Sequence, residues 1–170
     1  MTESKILETI ENYAFQGITT ISEVNYQNVI YIGESAYESC TGLKTVVLDS
    51  CKTIREKAFK GCTSLSRIEI PELYAIYHSA FYNTIIETAE FPKLESMWVS
   101  TVDGTKNYAG YFSYCKHLKS FTAPLASIIP TQMFYSCSAL STLNMDRVES
   151  IGSNALYGCS DLNYLRLPKV

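Results

Sequence analysis

Cysteine is the residue of this 170-residue chain whose spacing first suggests chemistry. Five of the six cysteines follow one period, because Cys40 and Cys62 lie 22 residues apart, as do Cys115 and Cys137, and Cys137 and Cys159. Equivalent residues on adjacent parallel strands lie about 4.8 Å apart and point the same way, which suits a disulfide dihedral poorly. We therefore predict a ladder of buried free thiols that act as small hydrophobic side chains.

The other potential catalytic or metal-binding groups form no recognisable motif. Cys51 occupies an apolar position of the pattern, and the sequence has no C-x-x-C pair of the kind that holds zinc. The two histidines, His78 and His117, have no Ser, Cys or carboxylate partner at a motif spacing. Cys115 is expected to point into the core, where it cannot form a thiol–base pair with His117. The aspartates are scattered, so the sequence predicts no enzyme, no metal site and no cofactor.

The cysteine period belongs to a repeat that covers nearly the whole chain. An aromatic residue or a leucine precedes each of the five cysteines, and a leucine and then another apolar residue follow at intervals of three. The template is I-x-x-x-A-F-x-x-C-x-x-L-x-x-φ-x-φ-P-x-φ-x-x, where φ is an apolar residue. A fixed period in the twenties predicts a solenoid, in which each coil buries its apolar positions against the same positions of the next coil.

Each coil is expected to contribute one strand. The segment L-x-x-φ-x-φ alternates as a strand does, so its copies should form one parallel sheet along the array. The A-F-x-x-C segment should turn the chain on the opposite side, as a short helical or irregular turn. A proline that lacks an N–H ends the strand pairing in several coils. These prolines are Pro71, Pro92, Pro124 and Pro168.

The repeat resembles the leucine-rich repeats of the BspA-like family, as seen in IREKAFKGCTSLSRIEIP at residues 54–71 and IGSNALYGCSDLNYLRLP at residues 151–168. The resemblance covers residues from about 10 to 170. It implies a leucine-rich-repeat solenoid, a curved right-handed coil with one parallel β-sheet on one face and irregular or 3₁₀ turns and short strands on the other. It also implies occurrence in bacterial surface and secreted proteins, often in adhesion or in binding of host proteins.

Composition narrows the class of partner. The net charge is −3 and the sequence pI is near 5.4, which argues against nucleic acid, because nucleic-acid binding usually shows as a basic patch. No apolar stretch approaches the length of about 18 residues that membrane insertion requires. The N-terminal segment MTESKILETI is too polar for a signal peptide. We expect a protein that stays inside the cell, or a piece of a longer exported protein.

Residues 1–170 are predicted to form a single solenoid domain, a fragment of a longer protein, with coils at 10–31, 32–53, 54–75, 76–96, 97–128, 129–150 and 151–170. The coil at 76–96 is one residue shorter than its neighbours and has Thr84 at the cysteine position. Neither end has a recognisable polar cap. An uncapped solenoid exposes an apolar cross-section, which favours end-to-end self-association.

The coil at 97–128 carries an insert of about ten residues. Asp103-Gly104 lies between two alternating runs, which predicts a two-stranded finger from Trp98 to Tyr108. This finger contains the only tryptophan of the chain. Trp98 either packs on the solenoid and anchors the finger, or forms a binding tip together with Tyr108.

The sheet face is the first candidate binding surface. Residues that flank the central apolar position of each strand should point outward, and the sheet side of a solenoid is commonly concave and used for binding. The alternative is an ordinary solvated face, because most of these residues are Thr or Ser. The outward positions are Thr20, Ser22, Thr45, Val47, Arg67, Glu69, Thr88, Glu90, Ser120, Thr122, Thr142, Asn144, Tyr164 and Arg166. The candidate ligand-binding residues among them are Arg67, Glu69, Thr88, Glu90, Tyr164 and Arg166.

Tyrosine supplies the second candidate surface. The chain has 13 tyrosines, and Tyr82, Tyr135 and Tyr157 share one template position, directly after the Phe or Leu of the turn. Tyrosine gives a large contact area at low entropic cost, which suits recognition of proteins or sugars. The alternative is that these rings pack between adjacent loops. We take Tyr135 and Tyr157 as the candidate residues, because they lie on successive coils.

These observations lead to three functional hypotheses. The first is a non-catalytic binding or adhesion module, extracellular or at a bacterial cell surface, that recognises a protein or a glycan. The second is a structural repeat spacer in an envelope or virion fibre. The third is an intracellular interaction scaffold, which fits six reduced cysteines.

Overall fold

A computed structural model describes residues 6–98, 101–102, 105–106, 110–163 and 165. The described residues form parallel strands and turns in successive coils, which confirms the predicted solenoid. None of them forms a helix, and thus none forms one that could cross a membrane. In chain order the strands are β1 (Thr9–Ile10), β2 (Glu23–Tyr26), β3 (Tyr31–Ile32), β4 (Thr45–Leu48), β5 (Thr53–Ile54), β6 (Arg67–Glu69), β7 (Ala75–Tyr77), β8 (Thr88–Glu90), β9 (Ser96–Trp98), β10 (Thr101–Val102), β11 (Thr105–Lys106), β12 (Ser120–Thr122), β13 (Ile128–Ile129), β14 (Thr142–Asn144) and β15 (Ser150–Ile151).

The strands stack in two ladders on different sides of the coil. The back ladder pairs β1, β3, β5, β7 and β9 in parallel, and later β13 with β15. Its register joins the template isoleucines, such as Ile32 with Ile54 and Ile54 with Ile76. These isoleucines are fully buried, so the back ladder closes one side of the core.

The front ladder is the predicted parallel sheet, but it is divided in two. Strands β2, β4 and β6 form one sheet, and β8, β12 and β14 form another. The central residues Val46, Ala89 and Phe121 are buried, whereas the residues on either side of them are half-buried or exposed. The period of two therefore sorts the side chains of these strands as the sequence predicts.

The predicted outward positions of the first coil are wrong. Val24 pairs with Val46, so Glu23 and Asn25 hold the outward positions, and Thr20 and Ser22 precede the strand. The prediction placed the strand centre between Thr20 and Ser22, at Ile21, because that residue is apolar. The register instead counts 22 residues back from Val46, which makes the first coil as long as its neighbours.

The broad turns are built by alternating backbone hydrogen bonds rather than by a helix. The amides of Tyr13, Phe15 and Gly17 donate to carbonyl oxygens of the next coil at 2.8 Å each. The amides between them, those of Ala14 and Gln16, donate three residues back within their own coil. Left-handed residues make this alternation possible, with φ values of 61° at Tyr13 and 74° at Gly17. Later coils repeat the pattern, so an isolated turn would lose half of its partners.

Stacked aromatic rings fill the core at the template phenylalanine. Successive ring centroids lie 5.0 to 6.1 Å apart, and neighbouring rings are tilted by 26° or less. Offset stacking of this kind adds about 0.5–1.5 kcal/mol per pair beyond the burial of area. The stack contains Phe15, Tyr37, Phe59, Phe81, Phe112 and Phe134.

The insert leaves the solenoid from the back ladder. Strand β10 pairs with β11 antiparallel, Val102 opposite Thr105, around residues 103–104. Trp98 lies in β9, where it pairs with Tyr77 of the preceding coil. The tryptophan is therefore the last residue of a back strand, next to the base of the insert.

The strand register can be tested with two substitutions two residues apart. We expect Leu140→Ala to lower the free energy of unfolding by about 2–5 kcal/mol, because Leu140 is fully buried between coils. Thr142→Ala should cost less than about 0.5 kcal/mol, because Thr142 is exposed in β14. Chemical denaturation of both variants measures the difference. Equal losses would show that the register is wrong.

Candidate functional site

The periodic thiols are structural groups in this fold. All six cysteines are free, and all except the half-buried Cys159 are buried. The Cys40 Sγ donates to the Phe15 carbonyl at 3.0 Å, and the Cys62 Sγ donates to the Tyr37 carbonyl at 3.1 Å. Cys115, Cys137 and Cys159 make the same bond to the aromatic residue of the preceding coil. Each thiol therefore ties two coils together.

Burial makes these thiols poor nucleophiles. It raises the pKa of Cys51 and Cys62 to about 12, and that of Cys115 and Cys159 to about 11. The thiolate is the reactive form of cysteine, and an active thiol usually has a lowered pKa. The arrangement thus opposes covalent catalysis at the cysteine ladder.

The histidines do not complete a catalytic group. His78 is buried, which lowers its pKa, and its Nδ1 lies 3.5 Å from the Ser79 hydroxyl. His117 is exposed, whereas Cys115 points into the core. Across the described residues, no three His, Cys, Asp or Glu side chains are grouped to hold a metal ion.

The site where predicted residues converge is a groove on the front ladder, which we call the front groove. Its volume is about 640 Å³, and it lies where the sheet is divided between β6 and β8. Four predicted binding residues line it, namely Arg67, Glu69, Thr88 and Glu90. The other lining residues are Asp49, Ser66, Ile68, Ile70, Pro71 and Pro92.

A one-residue deletion lies in the coil where the front sheet divides. The Leu65 and Ile86 positions are only 21 residues apart, as are Glu72 and Lys93, whereas regular coils have 22. The missing residue falls in the turn after Thr84, where the Ile85 amide donates to the Leu65 carbonyl at 3.0 Å. The following strand, β8, has no ladder pairing with β6. The sequence shows the shorter coil, but it does not show that the sheet divides there.

The charges of the front groove are unbalanced. Arg67 forms an ion pair with Glu69 in its own strand, with an N–O distance of 2.5 Å. At the border, Lys93 pairs with Glu72 at 2.6 Å and Lys119 pairs with Glu87 at 2.7 Å. No described residue forms an ion pair with Asp49 or Glu90. The groove and its border therefore carry two uncompensated carboxylates.

The predicted tyrosines form a row at the turn side. Tyr135 and Tyr157 stack with centroids 4.9 Å apart, and Tyr114 lies between Tyr82 and Tyr135 at 5.3 and 5.6 Å. The sequence places Tyr114 on the same turn-bearing side but not at the position that Tyr82, Tyr135 and Tyr157 share, which Ser113 holds in this coil. The backbone of Tyr114 is left-handed, with φ of 64°, whereas the template position before it is not. Tyr157 is the most exposed of the row, at 60%.

Trp98 continues a second aromatic stack along the back ladder. The centroid of its ring lies 6.3 Å from that of Tyr77. The Arg55 guanidinium lies 4.3 Å from the same Tyr77 centroid. Arg55 also pairs with the buried Glu56 at 2.9 Å. Trp98 packs on the solenoid through Tyr77, yet it stays 53% exposed. The remaining predicted residues, Tyr108, Tyr164 and Arg166, lie outside the described residues.

Comparison with known proteins identifies the repeat. The pattern described as BspA type Leucine rich repeat region, in six copies, matches residues 1–101 and 94–170. None of the curated proteins matches the chain.

The chain is similar to solved leucine-rich repeat structures and spans only part of their length, 58% in the case of the protein from Bacteroides ovatus. A leucine-rich repeat protein of T. pallidum is 20% identical with a TM-score of 0.54, over 95% of this chain and 74% of its own. A leucine-rich repeat protein from Bacteroides ovatus is 22% identical with a TM-score of 0.49, over 95% of this chain and 58% of its own. A leucine rich cell surface protein from Faecalibacterium prausnitzii is 14% identical with a TM-score of 0.45, over 99% and 81%.

Thiol reactivity tests the role given to the cysteine ladder. In the native protein we expect a thiol-specific reagent at neutral pH to modify Cys159 first and slowly, because it is half-buried and its pKa is raised to about 11. Cys40, Cys62, Cys115 and Cys137 should react only after denaturant is added, because they are buried. Mass spectrometry of peptides from timed samples measures the order. Rapid native labelling of Cys115 would contradict the structural role.

Proposed function

Because this chain belongs to the BspA-type leucine-rich repeat family, we propose that it is a non-catalytic module that recognises a protein or a glycan at a bacterial surface. The family is generally one of non-enzymatic repeat scaffolds that act as protein-interaction or binding modules. The surface location rests on the resemblance to repeats of exported proteins. The observation that carries the proposed binding role is the front groove, a cavity of about 640 Å³ in an otherwise regular array.

The groove suits recognition because rigid elements hold its polar groups. Arg67 and Glu69 lie on β6, and Thr88 and Glu90 lie on β8, so neighbouring strands present both pairs. Binding groups on strands of a packed scaffold lose less conformational entropy than groups on loops. A ligand in the groove would contact both halves of the divided sheet.

The aromatic rows are proposed as secondary contact surfaces. In the tyrosine row, Tyr135 and Tyr157 cover one face of each other, so a ligand would meet ring edges, hydroxyls and the outer face of Tyr157. Trp98 has an equivalent position on the back ladder, since Tyr77 covers one of its faces. The tyrosine row and the Trp98 ring each offer a large apolar contact surface with a polar group at its edge.

Blocking the groove tests the proposed function. Thr88→Trp should weaken binding by about tenfold or more, because the indole would occupy the cavity. Thr142→Trp is the matched control, since Thr88, Ser120 and Thr142 share one row of the sheet and Thr142 lies outside the groove. Both variants and the unmodified protein are screened against arrays of extracellular-matrix proteins and glycans.

The screen has two outcomes against the proposal. Equal binding by the unmodified protein and Thr88→Trp would exclude the groove as the site. A well-folded unmodified protein that binds nothing on the arrays would contradict the binding module and favour the spacer.

A structural spacer is the second candidate, because both terminal coils expose core positions. Ile18 is 41% exposed, whereas Cys40 at the same position is fully buried. Ile151 is 44% exposed, whereas Ile129 is 1% exposed. Since these surfaces repeat the contacts between inner coils, one chain could continue the ladders of another in a fibre of the envelope or a virion.

Sedimentation velocity at rising protein concentration tests end-to-end association. If the spacer proposal holds, the sedimentation coefficient rises for the unmodified chain, and Ile18→Lys and Ile151→Lys each suppress the rise. Ile85→Lys is the control, because Ile85 is 36% exposed but lies in the inner coil at 76–96. An unmodified chain that stays monomeric at every concentration would contradict the spacer proposal.

A further inference from the structure

The backbone of the front groove lacks hydrogen bonds that its neighbours make. The Ser66 and Arg67 amides both donate to the Lys44 carbonyl, at 3.1 and 3.2 Å. One coil after the groove, the Lys119 and Ser120 amides donate to the Glu87 carbonyl in the same way. In the part of the chain that the structure describes, the corresponding amides of the coil between them, at positions 87 and 88, make no such bond to the β6 coil. Among the described residues no ladder pairing joins β6 to β8, so the sheet is interrupted at the groove.

The carboxylates near this break follow the long axis of the solenoid. Asp49 comes directly after β4, Glu69 ends β6 and Glu90 ends β8, so three successive coils each contribute one. Adjacent parallel strands lie about 4.8 Å apart. Only Glu69 is neutralised in place, by Arg67. Val47 is the β4 residue that pairs with Glu69, so Asp49 lies two residues beyond that row, and Asp49 and Glu90 are the unpaired negative charges on either side of β6.

The lining favours a peptide over a sugar. None of the residues that line the groove is aromatic, so no ring face is available there for stacking on a pyranose. Its apolar part consists of Ile68, Ile70, Pro71 and Pro92, which suits aliphatic stems. Lys and Arg side chains combine such stems with a cationic head.

We infer that the front groove binds an extended, cationic protein segment that lies along the solenoid axis. This inference rests on the proposed binding function and names its ligand class. Lysine or arginine side chains of the segment pair with Asp49 and Glu90, while their aliphatic stems pack on the isoleucines and prolines of the groove. Charge complementarity of this kind sets specificity and the rate of association, and it weakens with salt.

The test uses a short unstructured peptide of alternating Lys and Ser, labelled for fluorescence anisotropy, and a matched peptide with Glu in place of Lys. The unmodified protein should bind the Lys peptide at low salt and not the Glu peptide. The double variant D49N/E90Q should bind the Lys peptide about tenfold more weakly, since two partly exposed pairs are lost. The control D146N/E149Q removes two exposed charges of a distant coil and should bind as the unmodified protein does.

The outcomes separate this inference from the proposed function. Equal weakening by D49N/E90Q and D146N/E149Q would mean attraction to net charge, and would overturn the inference. Failure to bind the Lys peptide, with array binding that Thr88→Trp abolishes, would overturn the cationic ligand and leave the groove as the site. If array binding is also absent, the proposed function fails together with the inference.

Discussion

Stacking of identical positions on successive coils is the constraint on which this structure depends. The core aromatic stack and the thiol that follows each ring both require that equivalent residues of successive coils lie next to each other. Their ring spacings of 5.0 to 6.1 Å are close to the separation of adjacent strands. The hydrogen bond from the Cys62 thiol to the Tyr37 carbonyl depends on the same spacing, because it gives a buried thiol a main-chain partner on the preceding coil.

This constraint also explains where the array becomes irregular. In the coil shortened by one residue, the back ladder stays continuous from β7 to β9, with partners 21 residues apart. The front ladder absorbs the difference, and the groove forms between β6 and β8. The long insert behaves differently, because its residues leave the coil while Phe81 and Phe112 remain stacked at 5.2 Å.

The sequence determined the fold well because its signal is repeated. The period predicted the parallel strands, the buried isoleucines and the free thiols, and a single misplaced residue, Ile21, caused the error in the first coil. The site was harder to predict, because Arg67, Glu69, Thr88 and Glu90 were named from strand alternation alone. That alternation gives the direction of a side chain, whereas a cavity depends on how far two strands separate. The contact of Tyr114 with Tyr82 and Tyr135 was not predicted, because Tyr114 lies one residue after the position that those tyrosines share.

The alternating turn bonds have a consequence for how order spreads through the molecule. Every second amide of a turn, such as those of Tyr37 and Ser39, finds its acceptor on the next coil at 2.8 Å. The ordering of one coil therefore favours the ordering of its neighbour. The strain of the left-handed residues is offset only when the hydrogen bonds to a neighbouring coil are formed. Growth of the array by whole coils preserves every one of these bonds. We therefore expect unfolding to begin at a terminal coil and to proceed inward one coil at a time.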